Sequence, residues 1–443
     1  MNPISSSASF ALAICLISIL LSPLAAAGLA LIHPGVGRSR SAAHSMLASL
    51  CVLAIAAIAI VLIGASWAGY SGGAAHTFQL AGLQWNWLGN VASLATSSNL
   101  GVNPSSPSSP NSLVLCLHIF AAGLAAIIPL SAGTDRWRLA PICLATIVFA
   151  GFIYPLFAHW VWGGGWLSQL ASSFGGKANI APFLDMGGAG AIHVTGGLMA
   201  LSVAWILGAR RGKYTPDAMA TAIPGHNIVL VLFGCLIALI GFAALESATS
   251  ILFNGAAPDR IIGVIINAML SASSGCLAAV ATTQIRYRKP DASLSANGWI
   301  AGLVSGSAAC ASVSPLAAIF IAAIAGVLTT YLVEVFELRL LVDDPGGAIS
   351  VHAASGFWGL IAAGIFAPTS ANSLTSQVLG QLVGMATLLG FMLPLIHGCN
   401  LLLNRLVPYR VDRDGDWQGM DIRELGAGAY PEFVIHADEF VPR

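Results

Sequence analysis

Long runs of apolar residues, each divided from the next by a short polar break, fill this chain from about residue 9 to residue 404. They cover 9–32, 44–68, 111–133, 138–160, 187–208, 226–250, 261–283, 298–313, 316–336, 349–367 and 376–404. An α-helix rises 1.5 Å per residue, so about 20 apolar residues cross the hydrocarbon core of a bilayer. The pattern predicts eleven transmembrane helices, with only SVSP at 312–315 between the eighth and the ninth. The expected class is all-α: a polytopic membrane domain over 1–405, then a charged tail over 406–443.

Composition agrees with that class. Hydrophobic residues make up 57% of the 443 positions and charged residues 8%, and the mean hydropathy is +0.83, which excludes a soluble globule. The net charge is zero, but the basic residues are unevenly placed. With the N-terminus outside, 16 of the 18 Lys and Arg residues fall on the cytoplasmic side and only Lys177 and Arg260 outside. The positive-inside rule therefore predicts an external N-terminus and a cytoplasmic tail, in an inner or plasma membrane. The first run has no Lys or Arg before it and reads as a membrane helix rather than a cleaved signal. Residues 69–110, rich in Gly, Ser, Asn and Pro, read as an external loop without a core of its own. The eight cysteines lie in or beside apolar runs without CxxC spacing, so neither a disulfide framework nor a metal site is expected.

One phrase occurs twice. DMGGAGAIHVTGG at 185–197 and DPGGAISVHAASG at 344–356 share an Asp eight positions before a His, Gly-Gly-Ala at six to four before it, and a Gly four positions after. Each copy starts at an acid and runs into an apolar helix, so each histidine sits about eight residues, or roughly 12 Å, inside. The copies fall in the fifth and tenth helices. Five helices separate them, so the second half enters the membrane from the opposite side, as in an inverted repeat of helices 1–5 and 6–10 followed by a final helix. His193 and His352 should then meet near the midplane.

A charged side chain in the bilayer is costly, so such histidines are expected to be neutral and to face the interior or a pathway. Tight packing by the surrounding Gly and Ala residues is the simplest reading of either copy alone. It does not require histidine at both equivalent positions. A metal site would need further ligands at the same depth. A neutral pair lining a narrow pore fits better, because imidazole both donates and accepts a hydrogen bond.

The chain resembles the ammonium transporter family (Amt/Mep/Rh). The resemblance rests on AHWVWGGGW at 158–166 followed by FLDMGGAGAIHVTGG, and on GLALIHPGV at 28–36, GHNIVLVLFG at 225–234, the Lys-Pro at 289–290 with GWIAGLVSG at 298–306, VDDPGGAISVH at 342–352 and GMDIRELGAGAY at 419–430. It implies a homotrimer with one path per subunit, no cofactor, no enzymatic chemistry and no nucleic-acid partner. It also implies that Trp162 and Phe120 line an external vestibule, that Phe120 gates the pore, that His193 and His352 are its paired histidines, and that Asp185 is the acid ahead of the first. Asp185 can equally serve as the N-cap of the fifth helix. A PII-type signal protein is a possible partner of the tail by the same analogy.

The departures concern the sixth helix, where the family's GFNAGS-like end is replaced by GFAALESATS. Leu245 is expected at the inner gate, Glu246 at an asparagine and Thr249 at the serine that helps hold ammonium. Cys116 replaces an aromatic residue, Thr134-Asp135-Arg136 replaces Ala-Glu-Arg, and Gly347 replaces an acid. The expected function is ammonium/ammonia transport through a twin-histidine pore. The alternatives are an Amt-like sensor or low-flux binding protein, and a channel for another small neutral molecule.

Overall fold

The computed structural model describes residues 3–69, 75–80, 83–89, 110–170, 179–367 and 373–430. Lys177, His436, residues 90–109 of the expected external loop and the last residues of the tail lie outside the described residues. Among the described residues, ten helices are long and apolar enough to cross a membrane. They are α1 (Phe10–Val36), α2 (Ser39–Ala68), α3 (Ser112–Gly133), α4 (Leu139–Val161), α5 (Ala189–Leu207), α6 (Ile228–Leu252), α7 (Pro258–Tyr287), α9 (Pro315–Arg339), α10 (Ile349–Phe366) and α11 (Leu374–Leu406). Between α7 and α9 lies α8 (Ala292–Ser307), a shorter helix of 16 residues.

The α8 boundaries differ from the expected 298–313. Asp291 caps its start by accepting the N–H of Leu294 at 2.8 Å. Its end stops at Ser307 because the carbonyls of Ser307 and Ala308 are taken by the N–H groups of Gly187 and Met186, each at 2.9 Å. Ser314 then caps α9.

The two halves repeat the same packing. In the first, α2 lies against α3 and α4; in the second, α7 lies against α8 and α9. The halves join where α1 crosses α6 and where α5 crosses α10. At the first crossing a Cβ on Gly28 would stand 2.5 Å from the Gly234 carbonyl, so the backbones touch. At the second, a Cβ on Gly197 would meet the Ala353 nitrogen at 2.4 Å and one on Gly356 the Val194 side chain at 2.7 Å. Outward faces remain apolar, with Val229, Ile262, Leu277, Ile285 and Leu316 exposed, as contact with lipid requires.

The bundle has two unlike ends. At one end Trp85, Trp87, Trp160, Trp162 and Trp166 gather. Here the structure adds a feature to the expected loop: β1 (Ala75–Leu80) and β2 (Leu83–Gly89) form an antiparallel hairpin that pairs Phe78 with Trp85. Trp85 and Trp87 lie within 5.2 and 4.6 Å of Trp166 and Trp160, so the hairpin uses the helix ends as its core.

At the other end arginines meet acids. Asp343 accepts the N–H, Nε and Nη2 of Arg210 at 2.8, 2.9 and 3.0 Å, Arg136 lies 3.7 Å away, and Asp135 pairs with Arg210 at 3.1 Å. Burial alone would raise the Asp343 carboxyl, but the Arg136 and Arg210 guanidinium groups outweigh it and hold it well below the usual carboxylate range. Burial pushes Arg136 down to about 10. The tail through Tyr430 closes on its own chain: Asp421 accepts the N–H groups of Ala43 and His44 at 3.2 and 2.8 Å, and Glu424 accepts from Leu139 at 3.1 Å. Arg423 bonds Asp412.

Candidate functional site

Both histidine helices begin by the same device. The chain turns through a left-handed glycine, Gly188 with φ 96° before α5 and Gly347 with φ 71° before α10. The preceding acid then accepts the helix's free N–H groups. Asp185 takes those of Gly188, Gly190 and Ala191 at 3.0, 3.0 and 2.8 Å, and Asp344 takes that of Ile349 at 2.7 Å. The first turns, Ala189–Val194 and Ile349–Ala354, are wound as π-helix and carry the two histidines.

These turns bring the rings together. His193 Nδ1 and His352 Nδ1 are 3.2 Å apart, with ring centroids 5.2 Å apart at 22°. Only one of the two nitrogens carries the shared hydrogen. Both residues are buried, and among the described residues neither ring has an ion-pair partner. The pair is suited to holding a small neutral molecule and to passing a hydrogen along, and unsuited to holding a charge.

Phe242 of α6 covers His193, stacked at 4.9 Å and 3°. From there one face of α6 and its C-terminal turn runs through Phe242, Glu246, Thr249 and Phe253 toward the tryptophan end. Phe253 stacks on Trp162 at 4.7 Å and 13°, and its ring lies 5.1 Å from His118, whose Nδ1 is 3.1 Å from the Tyr154 hydroxyl. Trp162 is held by its Nε1, which donates to the Asp185 carbonyl at 2.7 Å. Glu246 lies between the aromatic cluster and Phe242. It is 2% exposed, its Oε1 accepts no hydrogen bond from the described residues, and a Cβ on Gly187 would touch its Cγ at 2.9 Å.

The remaining expected site residues are placed as follows. Thr249 is buried and donates its hydroxyl to the carbonyls of Leu245 and Glu246 at 3.0 and 3.1 Å, within its own helix. Phe120 is half-buried against the main core, and no ring contact among the described residues involves it. Leu245 is buried in the same core; the side chain against His193 is the aromatic Phe242, three residues earlier. The Gly-Phe at 241–242 carried this signal, since keeping it in register with GFNAGS puts Phe242 on the phenylalanine and Glu246 on the serine. Phe253 and His118 were not singled out from the sequence. A lone aromatic at a helix end and a lone histidine in an apolar run carry no pattern.

The profile of the Ammonium Transporter Family matches residues 12–430. The chain is 32% identical to ammonium transporter Amt2 of Archaeoglobus fulgidus over 435 residues, covering 93% of this chain and 86% of that protein. It is 28% identical to an ammonium transporter of Bacillus subtilis, covering 91% and 94% of the two chains. Among solved structures it superposes on a sensor Amt protein with a TM-score of 0.83 at 24% identity, over 96% of this chain and 100% of the other. It superposes on Mep2 of Candida albicans with a TM-score of 0.77 at 21% identity, over 96% and 90%.

Proposed function

Because the chain belongs to the ammonium transporter family, we propose that each subunit moves ammonium as ammonia past the His193–His352 pair, with the proton handled separately. The observation that carries this reading is the 3.2 Å contact between two buried imidazoles from inverted helices, covered by Phe242.

Trp162, His118 and Phe253 form an aromatic mouth whose faces attract a small cation by about 0.5–2 kcal/mol. That is enough to concentrate ammonium and too little to trap it. A whole ion carried into the dry stretch beyond Phe242 would meet a penalty of several kcal/mol. Giving up the proton removes that penalty, and the neutral ammonia left behind can bond to the two imidazoles in turn. Glu246 supplies a counter-charge at the last point where the ion is still whole, with Thr249 beside it. The Asp185 carboxylate is spent on backbone N–H groups, so its contribution is to start α5, while the Asp185 backbone carbonyl holds the Trp162 indole.

In this reading the arginine-rich end is cytoplasmic and the N-terminus external, in an inner or plasma membrane, with the short α8 completing eleven spans. The assembly is a homotrimer, and the tail offers a docking surface to a PII-type signal protein. The test is uptake of labelled methylammonium by reconstituted protein. Wild type should accumulate label, and His193→Leu and His352→Leu should lose ammonium-evoked charge movement. Wild-type protein that binds methylammonium without accumulating it would favour the second reading, a sensor or low-flux binder, which Glu246, whose Oε1 has no partner among the described residues, favours by holding the cation more tightly.

A further inference from the structure

Directly beneath the histidine pair, on the arginine-rich side, lies a small chamber of about 20 Å³. His352 forms part of its wall, together with His33 from the last turn of α1, Ser131 of α3 and Asn297 of α8. His33 is 2% exposed and Ser131 4%, and neither His33 Nδ1 nor Ser131 Oγ has a hydrogen-bond partner among the described residues. Two unsatisfied polar atoms facing one small space are costly unless something bridges them. A water needs only about 10–15 Å³ and two to four polar partners, and the chamber supplies both. The fold puts His33 in the core, facing Ser131 of α3, Asn297 of α8 and His352 of α10.

The chamber also has a neighbour. Gly346, Ala348 and Val351 line it, while Pro345, Gly347 and Ser350 line a polar cavity of about 450 Å³ that includes Arg210 and Lys213. Alternate residues of one segment therefore form the wall between chamber and cavity.

We propose that the chamber holds water and that His33 is a third imidazole on the proton path, linking His352 to the arginine-rich cavity; this rests on the transport reading above. His352 releases a proton from one ring nitrogen to the water and regains one at Nδ1 from the His193 side. The water passes a proton to His33 Nδ1, and His33 releases one from Nε2 to solvent water on the arginine-rich side, so each ring ends neutral and nothing is consumed. Ser131 positions the water.

The experiment uses full-length protein in liposomes, measuring ammonium-evoked current on a solid-supported membrane and ammonia permeability by stopped flow. His33→Gln keeps size and hydrogen bonding but cannot take a proton; His33→Leu removes both. Both should lower the current about a hundredfold, the low end of what a positioned proton-transfer group contributes, while ammonia permeability stays within about twofold. Unchanged current in His33→Gln, or current and permeability falling together, overturns the proposal. Wild type that passes ammonia without current overturns the relay and leaves the transport reading intact; wild type that passes neither overturns the transport reading first. If the His33 variants are not recovered folded, Ser131→Ala decides: reduced current at unchanged permeability supports the relay, and unchanged current sinks it.

Discussion

The two Asp-to-His segments share a backbone device and differ in what surrounds it. In α5, Asp185 spends both carboxylate oxygens on three helix N–H groups, and beyond it stand Trp162, Phe253 and Glu246. Before α10, the Asp344 Oδ2 takes one such group, Oδ1 has no partner among the described residues, and the preceding residue, Asp343, is locked by two arginines. The first helix opens toward rings and an acid that attract a cation. The second opens toward guanidinium groups that repel one. A duplicated element thus keeps what places the histidines and changes what decides where a cation gathers.

The largest effect should come from the arginine-rich side. Asp343→Ala leaves Arg210 and Arg136 buried without their shared partner, and breaking such a pair costs about 3–5 kcal/mol. Thermal unfolding in detergent should show a large fall in midpoint. A midpoint within a degree or two of wild type would mean that the arginines reach water or another acid.

The two caps can then be compared directly. Asp185→Ala strands three buried N–H groups, at about 1 kcal/mol or more for each, or roughly 3 kcal/mol together. Asp344→Ala strands one and should cost about 1 kcal/mol. The unfolding midpoints of the two variants, measured side by side, should differ in that order. Equal losses would show that the second cap is as fully engaged as the first.

The part of this arrangement visible in the sequence is the part written as repetition or as an exception. The duplicated phrase marked His193 and His352, and an acid in an otherwise uncharged α6 marked Glu246. Ten of the expected spans correspond to helices long and apolar enough to cross a membrane, while the start of α8 was hidden: Asp291 is an ordinary cap signal, and the apolar run at 298–313 outweighed it. The hairpin was missed because its core is borrowed from Trp160 and Trp166 in another segment. A histidine before Pro34 at a helix end reads as an interfacial residue, and the partners that surround His33, Ser131, Asn297 and His352, are distant in sequence.

Glu246 separates the two ends in function. If its carboxylate is the counter-charge at the tryptophan end, Glu246→Gln keeps shape and removes attraction that is strong in a partly dry site. Ammonium affinity should fall about tenfold, which corresponds to about 1.4 kcal/mol. Isothermal titration across several pH values checks it, and unchanged affinity throughout would assign the acid to packing against Gly187.

The smallest expected effect concerns the covering of the histidine pair. A ring stacked on His193 at 4.9 Å contributes about 0.5–1.5 kcal/mol beyond its buried area and blocks the way to the imidazoles. Phe242→Leu removes that face while leaving an apolar side chain of nearly the same bulk. The ratio of ammonium-evoked to potassium-evoked current should therefore change by about 1 kcal/mol, or roughly fivefold. Leu245→Phe supplies the needed contrast, because it puts a ring where the family pattern was first aligned. Leu245 is 2% exposed inside the core, so an added ring there should cost about 1–3 kcal/mol of stability by overpacking and leave the current ratio alone. If Leu245→Phe altered selectivity and Phe242→Leu did not, the face of α6 that looks along the path would have to be redrawn, and Glu246 with it. At about 100° per residue, Phe242 stands about 40° around the helix from Glu246, four positions on, whereas Leu245, its immediate neighbour in sequence, stands about 100° away, so Phe242 is the one that shares the face of the carboxylate.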